Sequence, residues 1–194
     1  MVSPAIFSSE CEHWGTPDAP WQELHAEFDF GLDAAASDEN AKLPFYITKE
    51  QDALTQDWAA LSGGRFVWIN PPFRRYERAC AKVCRKKKCR RPAFKGGPKR
   101  GCILQALPGT GAFVAKAAAE SQRVGVVMEL PARTDSEWWF EHIWDAERRA
   151  FRPGVEVRFH RDRRRYAGAD NGAPFPSMNV IFYPPHDPRY AGRT

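Results

Sequence analysis

Apolar residues along this chain fall into short clusters whose spacing switches between a helical and an extended period. Trp21, Leu24 and Phe28 recur at three- and four-residue intervals, which predicts a helix over residues 19–28 with Asp18 as its cap. Residues 28–36 then read as a first strand and 45–48 as a short second one. Phe66–Ile69 is a continuous apolar run with β-branched and aromatic side chains, the pattern of a buried strand. An alanine-rich helix is expected over 111–123 and a buried strand over 124–130. Helical spacing returns over 136–150 through Trp138, Trp139, Ile143 and Trp144, and strands follow at 155–159 and 178–183. This alternation predicts an α/β domain around a largely parallel sheet.

One stretch breaks the rhythm. Residues 74–109 are rich in Lys, Arg, Gly and Pro, show little hydrophobic period and read as an insertion. The rest divides into a loose arm over 1–13, a domain over 14–184 that contains the insertion, and a tail over 185–194. At 194 residues, 43% of them apolar and seven of them tryptophan, the chain can build one real core, and a second full domain would be crowded. No apolar run approaches membrane-spanning length, and the first residues lack a basic, apolar and cleavable leader. A soluble protein of the cytoplasm is therefore expected, with no membrane partner.

The net charge of +5 hides an asymmetry. Residues 78–100 hold eleven Lys and Arg and no acid, so the remainder carries 18 basic against 24 acidic side chains. Arg158, Arg161, Arg163, Arg164 and Arg165 form a second basic cluster, interrupted by His160 and Asp162. Focused positive charge on an acidic body points to a polyanion, and nucleic acid is the commonest. Arg85, Lys86, Lys87, Lys88, Arg90 and Arg91 are the candidate phosphate contacts; a merely solvated loop is the plainer reading.

Asn70-Pro71-Pro72-Phe73 directly follows the run Phe66–Ile69, so a polar amide and an aromatic ring stand where a buried strand ends. Open α/β sheets place their chemistry there. Paired prolines have fixed φ and no N–H, which makes the Pro71 carbonyl an acceptor on a stiff turn. The Asn70 side chain adds a second acceptor, and Phe73 can stack. The set suits a planar group with an exocyclic amine, such as an unpaired adenine or cytosine. Proline pairs also make ordinary turns: Val180 to Tyr183 runs into Pro184-Pro185-His186 with no chemistry suggested.

Four of the five cysteines lie in the insertion. Cys80, Cys84, Cys89 and Cys102 are separated by three, four and twelve residues. Four thiolates would satisfy a tetrahedral zinc ion, and so polar a loop needs some staple to hold a shape. His160 or water could replace one ligand, and four reduced cysteines in a loop is the alternative. Cys11 is a lone thiol outside the group.

Several segments, taken in order, resemble the phage DNA N-6-adenine methyltransferases, the Dam family. They are Trp14-Gly15-Thr16-Pro17, Phe30-Gly31-Leu32-Asp33-Ala34-Ala35-Ala36 and Asn40-Ala41-Lys42. Then come Asp52-Ala53-Leu54 with Gln56-Asp57-Trp58, and Asn70 to Phe73. Last are Leu130-Pro131-Ala132-Arg133-Thr134-Asp135 and Ala173-Pro174-Phe175-Pro176-Ser177-Met178. The resemblance implies a Rossmann-like fold that takes a methyl group from S-adenosylmethionine to adenine in double-stranded DNA. It implies that Trp14, Thr16 and Pro17 close over the methionine end of the cofactor. Asp33, Ala34, Asn40 and Asp52 would complete the cofactor site, with Asp52 at its adenine amino group. As residue types Asp33 and Asp52 equally suit caps and turns, and Trp14 a core anchor. A glycine-rich loop is absent, with Ala34-Ala35-Ala36 in its place; S-adenosylmethionine carries no pyrophosphate, so no phosphate cradle is required.

The resemblance assigns the catalytic turn to Asn70, Pro71, Pro72 and Phe73. An adenine amino lone pair is delocalised into the ring, and two acceptors on its protons would localise density on nitrogen. N4 methylation of cytosine remains open, because the same pair can hold that amine. Methylation at a cytosine ring carbon is disfavoured by the lack of any Pro-Cys pair. The competing reading is a non-catalytic nucleic-acid-binding module with a zinc-stapled basic loop. Oligomeric state is not legible.

Overall fold

The computed structural model describes residues 15–82, 84–90, 101–164, 173 and 175–190. Helix α1 (Asp18–Phe28) buries Trp21, Leu24 and Phe28, the predicted stripe. Pro17 rather than Asp18 takes the cap position, and the Asp18 carboxylate accepts from the Lys42 ammonium instead. Asp29, with a left-handed φ of 49°, donates its N–H to the His25 carbonyl and ends the helix. Strand β1 (Phe30–Asp33) follows at once. A one-turn helix α2 (Trp58–Leu61), capped by the Asp57 carboxylate, leads into β2 (Phe66–Ile69). Helix α3 (Lys87–Arg90) is one turn within the insertion. After it come α4 (Thr110–Glu120), β3 (Val126–Pro131), α5 (Glu137–His142) and the hairpin β4 (Trp144–Asp145) and β5 (Ala150–Phe151). Strands β6 (Val155–Phe159) and β7 (Ser177–Phe182) complete the regular structure of the described residues.

Five strands form one mixed sheet in the order β1-β2-β3-β7-β6. The pairs β1–β2 and β2–β3 are parallel, as expected, whereas β7 is antiparallel to both neighbours. The largely parallel sheet is thus confined to the first half. A parallel crossover needs a dozen or more residues and usually a helix, and the described residues between β6 and β7 contain none.

Two expected elements differ. Residues 45–48 make only a single bridge, Tyr46 to Asp33, beside the end of β1. The helix expected over 136–150 stops at His142. There the Asp145 carboxylate accepts from the N–H groups of Glu147 and Arg148, and Arg149 turns the chain with a φ of 53°. The aromatic spacing that imitated a helix is a hairpin, in which Trp144 meets the edge of Phe151.

Helix α1 covers one face of the sheet, against Phe30, Phe66, Trp68, Val127, Ile181 and Tyr183. Trp58, Phe113, Val114, Ala117, Trp139 and Ile143 cover the other, against Leu32, Val67, Ile69, Val126, Met128 and Val180. Burial of both faces explains why these strands read as unbroken apolar runs rather than alternating ones. Residues 185–190 pack back onto the α1 side, where the Arg189 guanidinium lies over Phe28, Phe66 and Tyr183. Among the described residues no helix is long and apolar enough to cross a membrane.

Candidate active site

Because β1, β2 and β3 are parallel, their ends at Asp33, Ile69 and Pro131 share one edge, the place where such sheets bind ligands. Trp68 faces α1, and alternation along the strand turns Asn70 to that side too. Thr16, 3% exposed and just ahead of α1, waits there: the Asn70 Nδ2 donates to its Oγ1 over 3.2 Å. Two predicted site residues 54 positions apart are thereby joined.

The turn that follows is held from the insertion's return. The Pro72 carbonyl accepts from Arg74 N at 3.0 Å and Thr110 Oγ1 at 3.0 Å. Among the described residues the buried Pro71 carbonyl accepts no hydrogen bond. Phe73 is half-buried and stands edge-on to Phe175, with ring centroids 5.6 Å apart. Phe175 belongs to a segment that sequence reasoning singled out without giving this ring a role.

Asp33 closes β1 with 3% exposure. Its carboxylate accepts from Lys42 N at 3.1 Å and Ala35 N at 3.4 Å. Burial nevertheless pushes its pKa up to about 6, against the lowering effect of those two N–H groups. Ala34 is fully buried and donates its N–H to the Trp68 carbonyl at 2.8 Å. The Asn40 side-chain carbonyl accepts from Ser37 N at 2.7 Å and shapes the loop that carries Lys42 back to Asp33. Asp52 sits apart on an exposed turn with a φ of 54°, its carboxylate accepting from Leu54 N. Pro17 lines an open cleft with Pro20, His160, Asp162, Arg163 and Arg164. Trp14 lies outside the described residues.

The same edge holds a buried polar group that sequence reasoning missed. One step past the paired residues Ile69 and Met128 come Asn70, just beyond the end of β2, and Glu129, within β3. Glu129 is fully buried, yet it accepts two hydrogen bonds from the Arg164 guanidinium, at 2.9 and 3.1 Å, and one from Asn179 Nδ2 at 3.0 Å. His160 Nε2 lies 3.5 Å away. The signal was present as the sole charge in β3 and the amide in register with it on β7. These contacts take two arginines out of the second basic cluster, while Arg161 and Arg163 stay exposed. Arg164 neutralises Glu129 internally, and Arg158 is held by Glu27 and Glu156. Arg165 lies outside the described residues.

In the insertion two legs run antiparallel. Glu77 and Leu107 exchange N–H to carbonyl bonds of 3.0 and 2.8 Å, and Cys80 N reaches the Ile103 carbonyl at 2.7 Å. Sulfur atoms of Cys80, Cys84, Cys89 and Cys102 gather at the far end, all within 4.8 Å of one another. Crowding splits the thiols. The Lys86 backbone N–H and contacts with the neighbouring thiols bring Cys84 down to about 7, burial and those neighbours push Cys89 up to about 12, and the Cys84 sulfur together with burial raises Cys102. His160 stays with Glu129 rather than joining them. Of the candidate phosphate contacts, Arg85, Lys87 and Arg90 are exposed. Lys86 Nζ donates to the Arg78 carbonyl and Arg90 to the Cys84 carbonyl. Lys88 lies in α3 with its side chain undescribed, and Arg91 is outside the described residues.

Comparison with known proteins adds three findings. The family model for DNA N-6-adenine-methyltransferase (Dam) matches residues 5–191. A DNA N-6-adenine-methyltransferase of Haemophilus phage HP1 (strain HP1c1) is 37% identical over 75 residues, 38% of this chain; the match spans 41% of the phage protein's length. No solved structure matches the chain.

Proposed function

The chain belongs to the DNA N-6-adenine-methyltransferase (Dam) family, and we propose that it transfers a methyl group from S-adenosylmethionine to the N6 amine of adenine in double-stranded DNA. The observation that carries this reading is the Asn70 amide, held by Thr16 at the end of β2 beside the Pro71 carbonyl. Two acceptors on one stiff turn can take both protons of an exocyclic amine and leave its lone pair directed at an electrophile. The sheet supports a Rossmann-like methyltransferase domain, with three parallel strands ending together at the site and a reversed strand beyond them.

The residues present fit the cofactor. Asp33 is a buried carboxylate at the tip of β1, and a cationic ligand beside it would offset the burial that raises its pKa and favour its charged form. The small Ala34 lets the backbone come close there. Asp33, Ala34, Asn40, Thr16 and Pro17 would hold the cofactor, and Asp52 would meet its adenine amino group. S-adenosylmethionine supplies an activated methyl on a sulfonium. What the protein adds is orientation of the amine, which by proximity and alignment can account for much of the rate.

To reach this turn the adenine must leave the duplex, at a cost of a few kcal/mol in stacking and pairing. The Phe73 ring, backed by Phe175, offers a face to the extruded base. Positive charge along the insertion would bind the phosphates on either side. Treatment of mixed-sequence DNA with the protein and methyl-labelled cofactor, followed by nucleoside mass analysis, tests the proposal. N6-methyladenine is the expected product. N4-methylcytosine would transfer the same mechanism to the other base, and DNA binding without cofactor binding or methylation would make the chain a binding module.

A further inference from the structure

We propose that Cys80, Cys84, Cys89 and Cys102 bind one zinc ion, and that this ion shapes the basic arm that grips DNA beside the Asn70-Phe73 turn. The DNA half of this inference rests on the function proposed above; the metal half does not. Sulfurs on a zinc ion lie about 2.3 Å from it, which sets tetrahedral edges of about 3.8 Å. The Cys80–Cys89 and Cys84–Cys89 sulfurs are each 3.6 Å apart, and all four lie within 4.8 Å. That spacing is far from the roughly 2.05 Å of a disulfide. It is a set of four converging donors of the soft kind, matching the four-thiolate sets that zinc takes in its closed structural sites.

The backbone around the sulfurs is built for thiolates. Ile103 N donates to Cys80 Sγ at 3.4 Å. Such N–H groups orient the ligands and offset their negative charge. Four thiolates outweigh the charge of one divalent ion, and the surrounding Arg85, Lys86, Lys87 and Arg90 balance the remainder.

Among the described residues the arm has no core of its own. Leu104 is 89% exposed and Tyr76 62%, and Cys89 is the sole buried apolar residue among those described between 76 and 107. An arm with many like charges and so little buried surface needs a cross-link to keep a shape. Its legs transmit that shape to the catalytic turn. At their base Thr110 binds the Pro72 and Arg74 carbonyls, and Arg74 Nε donates to the Pro108 carbonyl. A Cβ on Gly109 would come within 2.5 Å of Tyr76 N, so the legs touch there.

The test begins with elemental analysis of the full chain purified without chelator, where about one zinc per chain is expected. Cobalt substitution should give the thiolate charge-transfer and tetrahedral ligand-field bands. Cys89→Ser and the exposed-ligand variant Cys102→Ser should lose zinc, whereas Cys11→Ser should retain it. Stripping the ion should lower DNA affinity on the order of tenfold and reduce the salt slope by about 0.9 for each phosphate that the arm ceases to neutralise. S-adenosylmethionine affinity should stay within about twofold, showing that the domain remains folded. Metal-free protein with full DNA affinity, iron in place of zinc, or a disulfide among these cysteines would overturn the metal site. Zinc whose removal leaves DNA binding unchanged would overturn the arm's dependence on it. Zinc present in a protein that neither binds the cofactor nor methylates DNA would leave the metal half standing and sink the function proposed above.

Discussion

Replacing Asn70 with alanine separates the amide's chemical part from its structural part. In the resting protein the side chain donates one neutral hydrogen bond of 3.2 Å to Thr16 in a half-buried setting, worth about 1 kcal/mol net. Loss of that hydrogen bond should lower stability by about that amount. In the transition state the amide oxygen accepts from an amine that is becoming positively charged, and the hydrogen bond strengthens. Removing such a hydrogen bond costs about 3 kcal/mol, or roughly a hundredfold in rate. Thr16→Val isolates the orienting step: the acceptor remains but its amide is without its partner, with an expected penalty of about 1 kcal/mol, roughly fivefold in rate. Asn70→Asp keeps an acceptor of the same size and should fall between wild type and alanine. The assay is single-turnover methyl transfer to a DNA duplex, with cofactor affinity measured by calorimetry on the same samples. Methylation by Asn70→Ala at the wild-type rate would refute the acceptor mechanism. A fall in cofactor affinity in step with the rate would show that Asn70 supports the cofactor pocket instead.

Three further outcomes follow from the same geometry. Arg164→Ala strands the fully buried Glu129 carboxylate, and removing one partner of such a pair costs about 3–5 kcal/mol; urea unfolding should register it, while Arg158→Ala, at a more exposed pair, should cost about 1 kcal/mol or less. Asp33 holds its proton up to about 6 in the native chain but only to near 3.8 when unfolded. Native protein therefore binds the extra proton between those values, and stability should decline as pH rises from about 4 to about 6, by on the order of 3 kcal/mol. Asp33→Asn should flatten that decline in urea titrations, and parallel curves for the two proteins would count against it. Exchanging the exposed pair Arg85 and Lys87 for glutamine should weaken binding to every DNA sequence and flatten the salt dependence by about 0.9 for each phosphate left without its cation. Arg158→Gln should leave that slope unchanged, and an unaltered slope in the double variant would mark the run as solvated surface.

Local chemistry was legible without coordinates wherever one segment carried it whole. The stripe Trp21, Leu24 and Phe28 specified α1, and the apolar run Phe66–Ile69 specified a strand buried on both faces. Asn70 and the proline pair announced a stiff polar turn because proline's constraint is intrinsic to the residue. Four cysteines at close spacing likewise announced a cluster that the folded arm brings within 4.8 Å. Short-range imitation misled at 136–150, where aromatic spacing matched a helix but the Asp145 carboxylate and a left-handed Arg149 made a hairpin.

Tertiary structure alone decided which distant groups meet. Sequence cannot pair Thr16 with Asn70, nor Phe73 with Phe175, because each pairing depends on the order of strands in the sheet. It also cannot tell a solvated arginine from a buried one. Arg164 and Arg85 look alike along the chain, yet one closes an ion pair with Glu129 inside the fold and the other faces water beside the thiols. A residue's charge belongs to its side chain, but its partner, its solvation and hence its use are properties of the space the other strands leave for it.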